Sequence, residues 1–232
     1  MDKTIIYLTA SQIPDTFAEY ARNVLREAIG DIPVISVSRK PLDFGLNLLD
    51  TEPKSLSNIY WQMLRAAKLA TTKYVAIAED DCLYHRYHFE WEPGQLEDEF
   101  YYDQNRFALF TWGKPMYHWR NRKSNCSLIA PRKLLIETLE ERYAKWPHGT
   151  PENITGEVGR RMVEKNLGVR ERKSKEVYSK VSIIQVNHEY GSEERQKTHR
   201  KSYGPIRAYD IPHWGEAKNL LKVWNETDTK KS

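Results

Sequence analysis

"KYVAIAEDDCLYH", residues 73–85, decides how the rest of the chain is read. A short apolar run, Tyr74 to Ala78, passes directly into three carboxylates, Glu79, Asp80 and Asp81. The run has the length and character of a buried strand. Three adjacent acids at its end repel one another, and in a cleft they are costly unless a cation neutralises them. Oxygen donors of this kind suit Mg2+, Mn2+ or Ca2+. Neighbouring residues on extended backbone point to opposite sides, so Glu79 and Asp81 share one face and Asp80 takes the other. The alternative is a polar loop with three solvated acids.

Working outward, "KTIIYLT" (3–9) reads as a first strand and "PVISVS" (33–38) as a second. Between them Phe17, Tyr20, Ala21, Val24, Leu25, Ala28 and Ile29 recur at helical spacing, with Pro14 suited to the first turn and Gly30 to the end. A loop with Pro41, Gly45 and Pro53 follows, and then "SLSNIYWQMLRAAKLA" repeats the helical pattern before the strand at 73–78. Strand, helix, strand, helix, strand predicts a mostly parallel α/β sheet flanked by helices in a single domain. In such sheets ligands bind beyond the carboxyl ends of the strands, where "LTAS" and "EDD" both fall. Further strands are predicted at 106–112, 125–130 and 180–188, and helices at 131–146 and before Gly168. The chain from Glu189 onward reads as polar and turn-rich, with a frayed "TDTKKS" end.

The 232 residues, 40% hydrophobic and 29% charged, suit one domain with a real core. No apolar run approaches the roughly 20 residues that span a bilayer, and the N-terminus lacks a secretory h-region. The expectation is a soluble, cytoplasmic protein with no stable membrane insertion. Cys82 and Cys126 have no metal-binding spacing and fit buried or free thiols. Net charge is only +4, but from Glu79 to Asp103 nine acids meet one base, whereas from Arg160 to Arg207 thirteen Lys and Arg meet six Glu. Either run is also compatible with a merely solvated face.

The first-strand loop "YLTAS", the helix "SLSNIYWQMLRAAKLA", the motif "YVAIAEDD" and "TGEVGRRMVEKNLGV" occur in an order that resembles the GT-A fold nucleotide-sugar glycosyltransferases, family 2-like and of phage or bacterial type. The resemblance covers about residues 3–190. It implies a Rossmann-like GT-A domain, a divalent metal (Mn2+ or Mg2+) and a nucleotide-sugar donor such as a UDP-sugar. It implies Asp81 as the metal ligand, with Asp80 or Glu79 on the ribose or a metal-bound water, and Thr9, Ala10 and Ser11 beside the nucleoside. Asn58 lies in a helix used near the donor, and His188, at a strand end, matches a histidine that completes some metal sites. An inverting transfer needs a base for the acceptor hydroxyl. The resemblance points to Glu157 as that base, although the usual pair of adjacent acids is here Glu-Val; Glu152 is a reserve.

Residues 1–112 are then expected to bind the nucleotide sugar and residues 113–232 the acceptor. Basic and aromatic groups alternate at Tyr117, His118, Trp119, Arg120, Arg122 and Lys123, and "ERQKTHRKSYGPIR" (194–207) is strongly basic. Such surfaces bind phosphate backbones by counterion release and stack on unpaired or flipped bases. The first acceptor expected is therefore 5-hydroxymethylcytosine in DNA, as for phage-type enzymes. A cell-surface glycan or lipid-linked sugar is the alternative, and a non-catalytic binding module a third reading.

Overall fold

The strands of the first 80 residues pair as their spacing predicts. In the computed structural model, described for residues 2–92, 97–191, 204 and 206–226, β1 (Lys3–Leu8) runs parallel to both β2 (Val34–Ser38) and β4 (Tyr74–Glu79). All six residues of β1 are buried, as a central parallel strand covered on both faces requires. The side-chain alternation divides it cleanly. Ile5 and Tyr7 pack with Leu25 and Ile29 of α1 (Asp15–Ile29), whereas Ile6 and Leu8 pack with Met63 and Leu64 of α2 (Leu56–Leu69) and Leu135 of α4 (Arg132–Lys145). Helices therefore cover both faces of one sheet.

The loop expected around Gly45 contains a further strand, β3 (Leu46–Leu49), parallel to β2 at the sheet edge. Gly45 sits at φ 69°, and a Cβ there would lie 2.2 Å from the Val34 carbonyl oxygen. Only glycine lets the chain pass that closely before pairing. On the other side of β4 come β9 (Leu128–Pro131), the one antiparallel member, then β6 (Glu99–Asp103) and β10 (Lys173–Val177), giving a seven-stranded sheet in the order β10-β6-β9-β4-β1-β2-β3.

A second sheet of five strands, β12-β8-β7-β11-β5, packs beside α1. Its members are β5 (Cys82–Leu83), β7 (Arg106–Phe110), β8 (Tyr117–Trp119), β11 (Ile183–Asn187) and β12 (Arg207–Ala208). β13 (Asp210–Ile211) and β14 (Gly215–Glu216) form a small hairpin. Two short helices stand where no helix was expected. One is α3 (Arg86–Glu90), whose His88 Nδ1 lies 3.1 Å from Asp103 Oδ2 with both groups buried. The helix predicted to end at Gly168 is α5 (Arg161–Leu167), and Gly168 adopts the left-handed conformation.

The polar reading of the chain end needs correction. The sixth helix, α6 (Ala217–Asn225), buries Leu220, Leu221 and Trp224, and Trp224 lies 4.9 Å from the ring of Phe17 on α1. With Ala217 these residues stand at i, i+3, i+4 and i+7, a helical stripe within a segment of polar composition. "TDTKKS" and residues 192–203 of the basic segment lie outside the described residues. Among the described residues no helix is long and apolar enough to cross a membrane.

Candidate active site

β1 and β4 end side by side, Leu8 opposite Glu79. The next residues therefore meet just beyond the sheet. The Asp80 amide donates to the Leu8 carbonyl (3.2 Å), and the Thr9 hydroxyl donates to Asp80 Oδ2. Thr9 Oγ1 also accepts from the Ser11 amide at 2.9 Å, which holds Ser11 at φ 52°, a tight corner for a residue with a side chain. A cleft of about 490 Å³ opens here, lined by Thr9, Ala10, Asn58, Glu79, Asp80, Asp81 and His188 among others. Ser11 shapes the corner but is not part of the lining.

His188 arrives through strand pairing. β5 pairs antiparallel with β11, Cys82 opposite Gln185, and the Val186 amide donates to the Asp81 carbonyl at 2.8 Å. Continuing the two chains past that bond brings His188 Nε2 to 3.7 Å from Asp81 Oδ2. Burial, and then the nearby Lys54 charge, lower the His188 pKa to about 4, so the ring is neutral at pH 7. Its Nδ1 accepts from the Tyr190 amide at 3.2 Å, which assigns the remaining proton to Nε2, facing Asp81. The ring stacks on Trp224, with centroids 5.2 Å apart and planes at 27°. Trp224 supports the site from α6.

The three carboxylates differ. Asp80 is raised to about 6 by burial, which outweighs the Thr9 hydrogen bond. Burial also pushes Glu79 and Asp81 well above the usual carboxylate range, with Cys126 and the neighbouring acids adding to the effect. Asp80 and Asp81 form the turn between β4 and β5, Asp80 accepting from the Thr9 hydroxyl and Asp81 from the Cys82 thiol, and all three acids line the cleft. Carboxylates with raised affinity for protons, beside a neutral imidazole, make a donor set that fits a hard or borderline divalent cation.

Asn58 is not solvent-facing. Ser55 caps α2 by accepting from the Asn58 amide (3.0 Å), and Asn58 Nδ2 donates to the buried Asp50 (2.7 Å). Asp50 also accepts from Gln62 Nε2 (2.6 Å) and Arg65 Nη1 (3.1 Å). Arg39 and Lys54 bring positive charge to the cleft lining. The Lys54 ammonium donates to Gln12 Oε1 at 2.7 Å and to the Tyr190 carbonyl, spanning the cleft rim. Neither base has a local sequence signal; the fold alone places them.

Glu157 does not line this cleft. It lies before α5 rather than in its first turn, and its Oε2 is held by Arg160 Nη1 at 2.7 Å. Glu152, exposed at the mouth, does line it. The aromatic platform expected at 117–119 also needs correction. Tyr117 and His118 are 0% and 3% exposed, because β8 lies between β7 and β12 with Tyr117 directed into the core under α1 and α6. Trp119 is half-buried. Arg120 is buried, with no hydrogen-bond partner for Nη1 among the described residues, Arg122 is exposed, and the Lys123 ammonium donates to Ser174 Oγ at 2.7 Å.

No protein-family model and no curated protein sequence matches this chain. Solved structures do. A galactosyltransferase, LgtC, in complex with donor and acceptor sugar analogues matches at 8% identity over 97% of this chain and 96% of its own, with a TM-score of 0.50. A glycosyltransferase involved in glycosylation of the major capsid of PBCV-1 matches at 10% identity over 84% and 96%, also at 0.50. A mannosyltransferase from Pyrobaculum calidifontis, in complex with GDP-Man and Mn2+, matches at 15% identity and 0.47; this chain covers 58% of its length. At these identities the likeness is one of architecture: the chain has the GT-A fold of the nucleotide-sugar glycosyltransferases.

Proposed function

We propose that the protein transfers a glycosyl group from a nucleotide-diphosphate sugar to an acceptor hydroxyl, with a divalent cation, Mn2+ or Mg2+, held by Asp81 and His188. The observation that carries this reading is the convergence of Thr9, Asp80, Asp81 and His188, from three separate strand ends, on one cleft at the carboxyl edge of a parallel sheet. The cation would supply charge stabilisation for the departing nucleoside diphosphate. The chain's own contribution is to hold that diphosphate. Lys54 and Arg39 face it, and the N-terminus of α2 at Ser55 and Leu56 lines the same wall. Thr9 and Ala10 border the nucleoside, Asp80 binds ribose or a cation-bound water, and Asn58 is held rigid by Asp50 against the donor. A UDP-sugar is the donor of first choice. The donor half, 1–112, does not act alone, since Gln185 and His188 complete its cleft from the acceptor half, 113–232.

Transfer is read as inverting, with a carboxylate taking the acceptor proton. Glu152 is better placed than Glu157, because Glu152 faces the cleft and Glu157 is engaged by Arg160. A sugar hydroxyl is favoured as acceptor, in keeping with the acceptor sugar analogue bound by the galactosyltransferase of the same fold. Hydroxymethylcytosine in DNA is the second reading. Burial of Tyr117 and His118 removes its stacking surface, but exposed Arg122 and Arg207 leave positive charge suited to a phosphate backbone.

Incubation with UDP- and GDP-sugars, with and without Mn2+, against oligosaccharides and hydroxymethylcytosine DNA tests both by mass. A Mn2+-dependent gain of one glycosyl unit on an oligosaccharide supports the first reading, and the same gain on DNA supports the second. No transfer or donor hydrolysis with any donor overturns both.

A further inference from the structure

Beneath the acidic corner the fold brings together two thiols that lie 44 residues apart in sequence (126 minus 82). Cys82 opens β5, and Cys126 sits in a 3-10 turn, Asn125–Ser127, that precedes β9. Both are buried, 1% and 0% exposed. The two Sγ atoms and a carboxylate oxygen of Glu79 all lie within 4.8 Å of one another. We propose that Glu79, Cys82 and Cys126 form a site for a thiophilic divalent cation of the zinc class, distinct from the oxygen-rich position at Asp81 and His188.

The geometry is close to what such a cation needs. Zinc binds thiolate at about 2.3 Å and carboxylate oxygen at about 2.0–2.2 Å, so tetrahedral donors stand roughly 3.4–3.8 Å apart. Closing from the present separations needs side-chain adjustments of an ångström or less, shared among three donors. Glu79 also lines the cleft, which gives the cation its entry and leaves the fourth position to a water from the same side. Charge is balanced locally. Two thiolates and one carboxylate leave a single negative charge around a divalent ion, and the buried Arg106 guanidinium acts on both Cys126 and Glu79. Arg106 is itself fixed by Gln185 Oε1 at 2.6 Å and the Arg122 carbonyl at 3.1 Å. In the binding step two metal–sulfur bonds and one metal–oxygen bond form, and each proton that the two thiols and the Glu79 carboxyl still carry leaves to the solvent. One of those protons is the one Cys82 now donates to Asp81 Oδ1 at 3.1 Å. Filling the thiol site therefore removes a hydrogen bond from the carboxylate at the neighbouring position. The sites differ in softness: sulfur selects zinc or cadmium, while carboxylate and imidazole suit Mn2+.

The test is a cadmium titration of the reduced, chelator-stripped full chain, followed by thiolate-to-cadmium charge-transfer absorption and by proton release. The expected result is saturation at one Cd2+ per chain with the amplitude of two thiolates, accompanied by proton release. Excess Mn2+ leaves the band in place. Cys126→Ser halves the amplitude, and Glu79→Gln keeps it while weakening binding by about a hundredfold, since loss of mere supporting partners already costs 10–100-fold. No band at equimolar Cd2+ in the unaltered protein, full amplitude in Cys126→Ser, or displacement by Mn2+ overturns the proposal. The inference goes beyond the donor-site reading, and Mn2+-dependent donor binding is measured separately. Cys126→Ser, with Cys126→Ala as a check on folding, leaves that binding intact.

Discussion

A single buried carboxylate and a carboxylate trio sit at strand ends in this protein, and their surroundings have opposite effects. Asp103, at the end of β6, is enclosed by donors: His88 Nδ1 at 3.1 Å and the amides of Asn105 and Ser179 at 2.9 and 3.2 Å. Burial alone would raise its pKa, yet these contacts outweigh burial and lower it. At the acidic corner the balance is reversed. Asp80 has the Thr9 hydroxyl, Asp81 has the weak Cys82 thiol donor, and burial holds all three acids above the normal range. A satisfied buried carboxylate stabilises the fold, whereas an under-satisfied trio costs stability and is retained where a cation supplies what the protein withholds.

The contrast can be pressed with substitutions, beginning where the effect is largest. Glu152→Gln is expected to lower kcat by about 10²–10⁴-fold with donor affinity unchanged, as loss of a general base does. Near-normal turnover, with the loss appearing in Glu157→Gln instead, would move the proton-accepting role across to the Arg160-bound carboxylate. His188→Ala should weaken Mn2+ binding by about a hundredfold, read by calorimetry; an unchanged affinity would leave His188 as a packing partner of Trp224 alone.

Stability measurements separate the two carboxylate environments directly. Asp103→Asn should destabilise by about 2 kcal/mol in denaturant unfolding at pH 7, the range for hydrogen bonds to a charged group. The sign of its pH dependence follows from the lowered pKa. Its contribution is fully present above the unfolded value near 4 and is lost as pH falls through the lower folded value. The acid limb of the unaltered protein should therefore be steeper than that of Asp103→Asn. Asp81→Asn, measured without metal, should instead leave stability unchanged or raise it by about 1 kcal/mol, as removal of a strained functional charge commonly does. Equal destabilisation by both substitutions would erase the distinction. The smallest effect belongs to Tyr117→Phe. The Tyr117 hydroxyl is buried without a hydrogen-bond partner among the described residues, so its removal should change stability by less than about 1 kcal/mol and leave DNA affinity untouched. A clear loss of DNA binding would restore the stacking surface.

The N-terminal half of the fold was legible because its signals are local and redundant. β1 and β4 are continuous apolar runs, α1 and α2 carry a helical apolar stripe, and the acids stand where a parallel strand must end. His188 could be picked out by the same logic at the end of β11. What lay beyond reading depended on partners. Tyr117 and His118 have the residue types of a stacking platform, and only the pairing of β8 with both β7 and β12 buries them. Lys54 and Arg39 reach the cleft from a loop and a strand end with no motif, whereas the helix that carries Trp224 did have a signal, Ala217, Leu220, Leu221 and Trp224 at i, i+3, i+4 and i+7, inside a segment whose overall composition is polar. Cys82 and Cys126 likewise show no spacing, because their proximity is made by β5 and the turn before β9.

Calorimetric binding of a nucleotide-diphosphate sugar, in Mn2+ and then in chelator, compared between the unaltered protein and Asp81→Asn, tests the central claim most directly. Saturable binding in Mn2+ that disappears with chelator and is lost in the folded variant is the predicted result. Binding of equal strength without metal, or in Asp81→Asn with Mn2+ present, would contradict a cation-dependent donor site at the acidic corner.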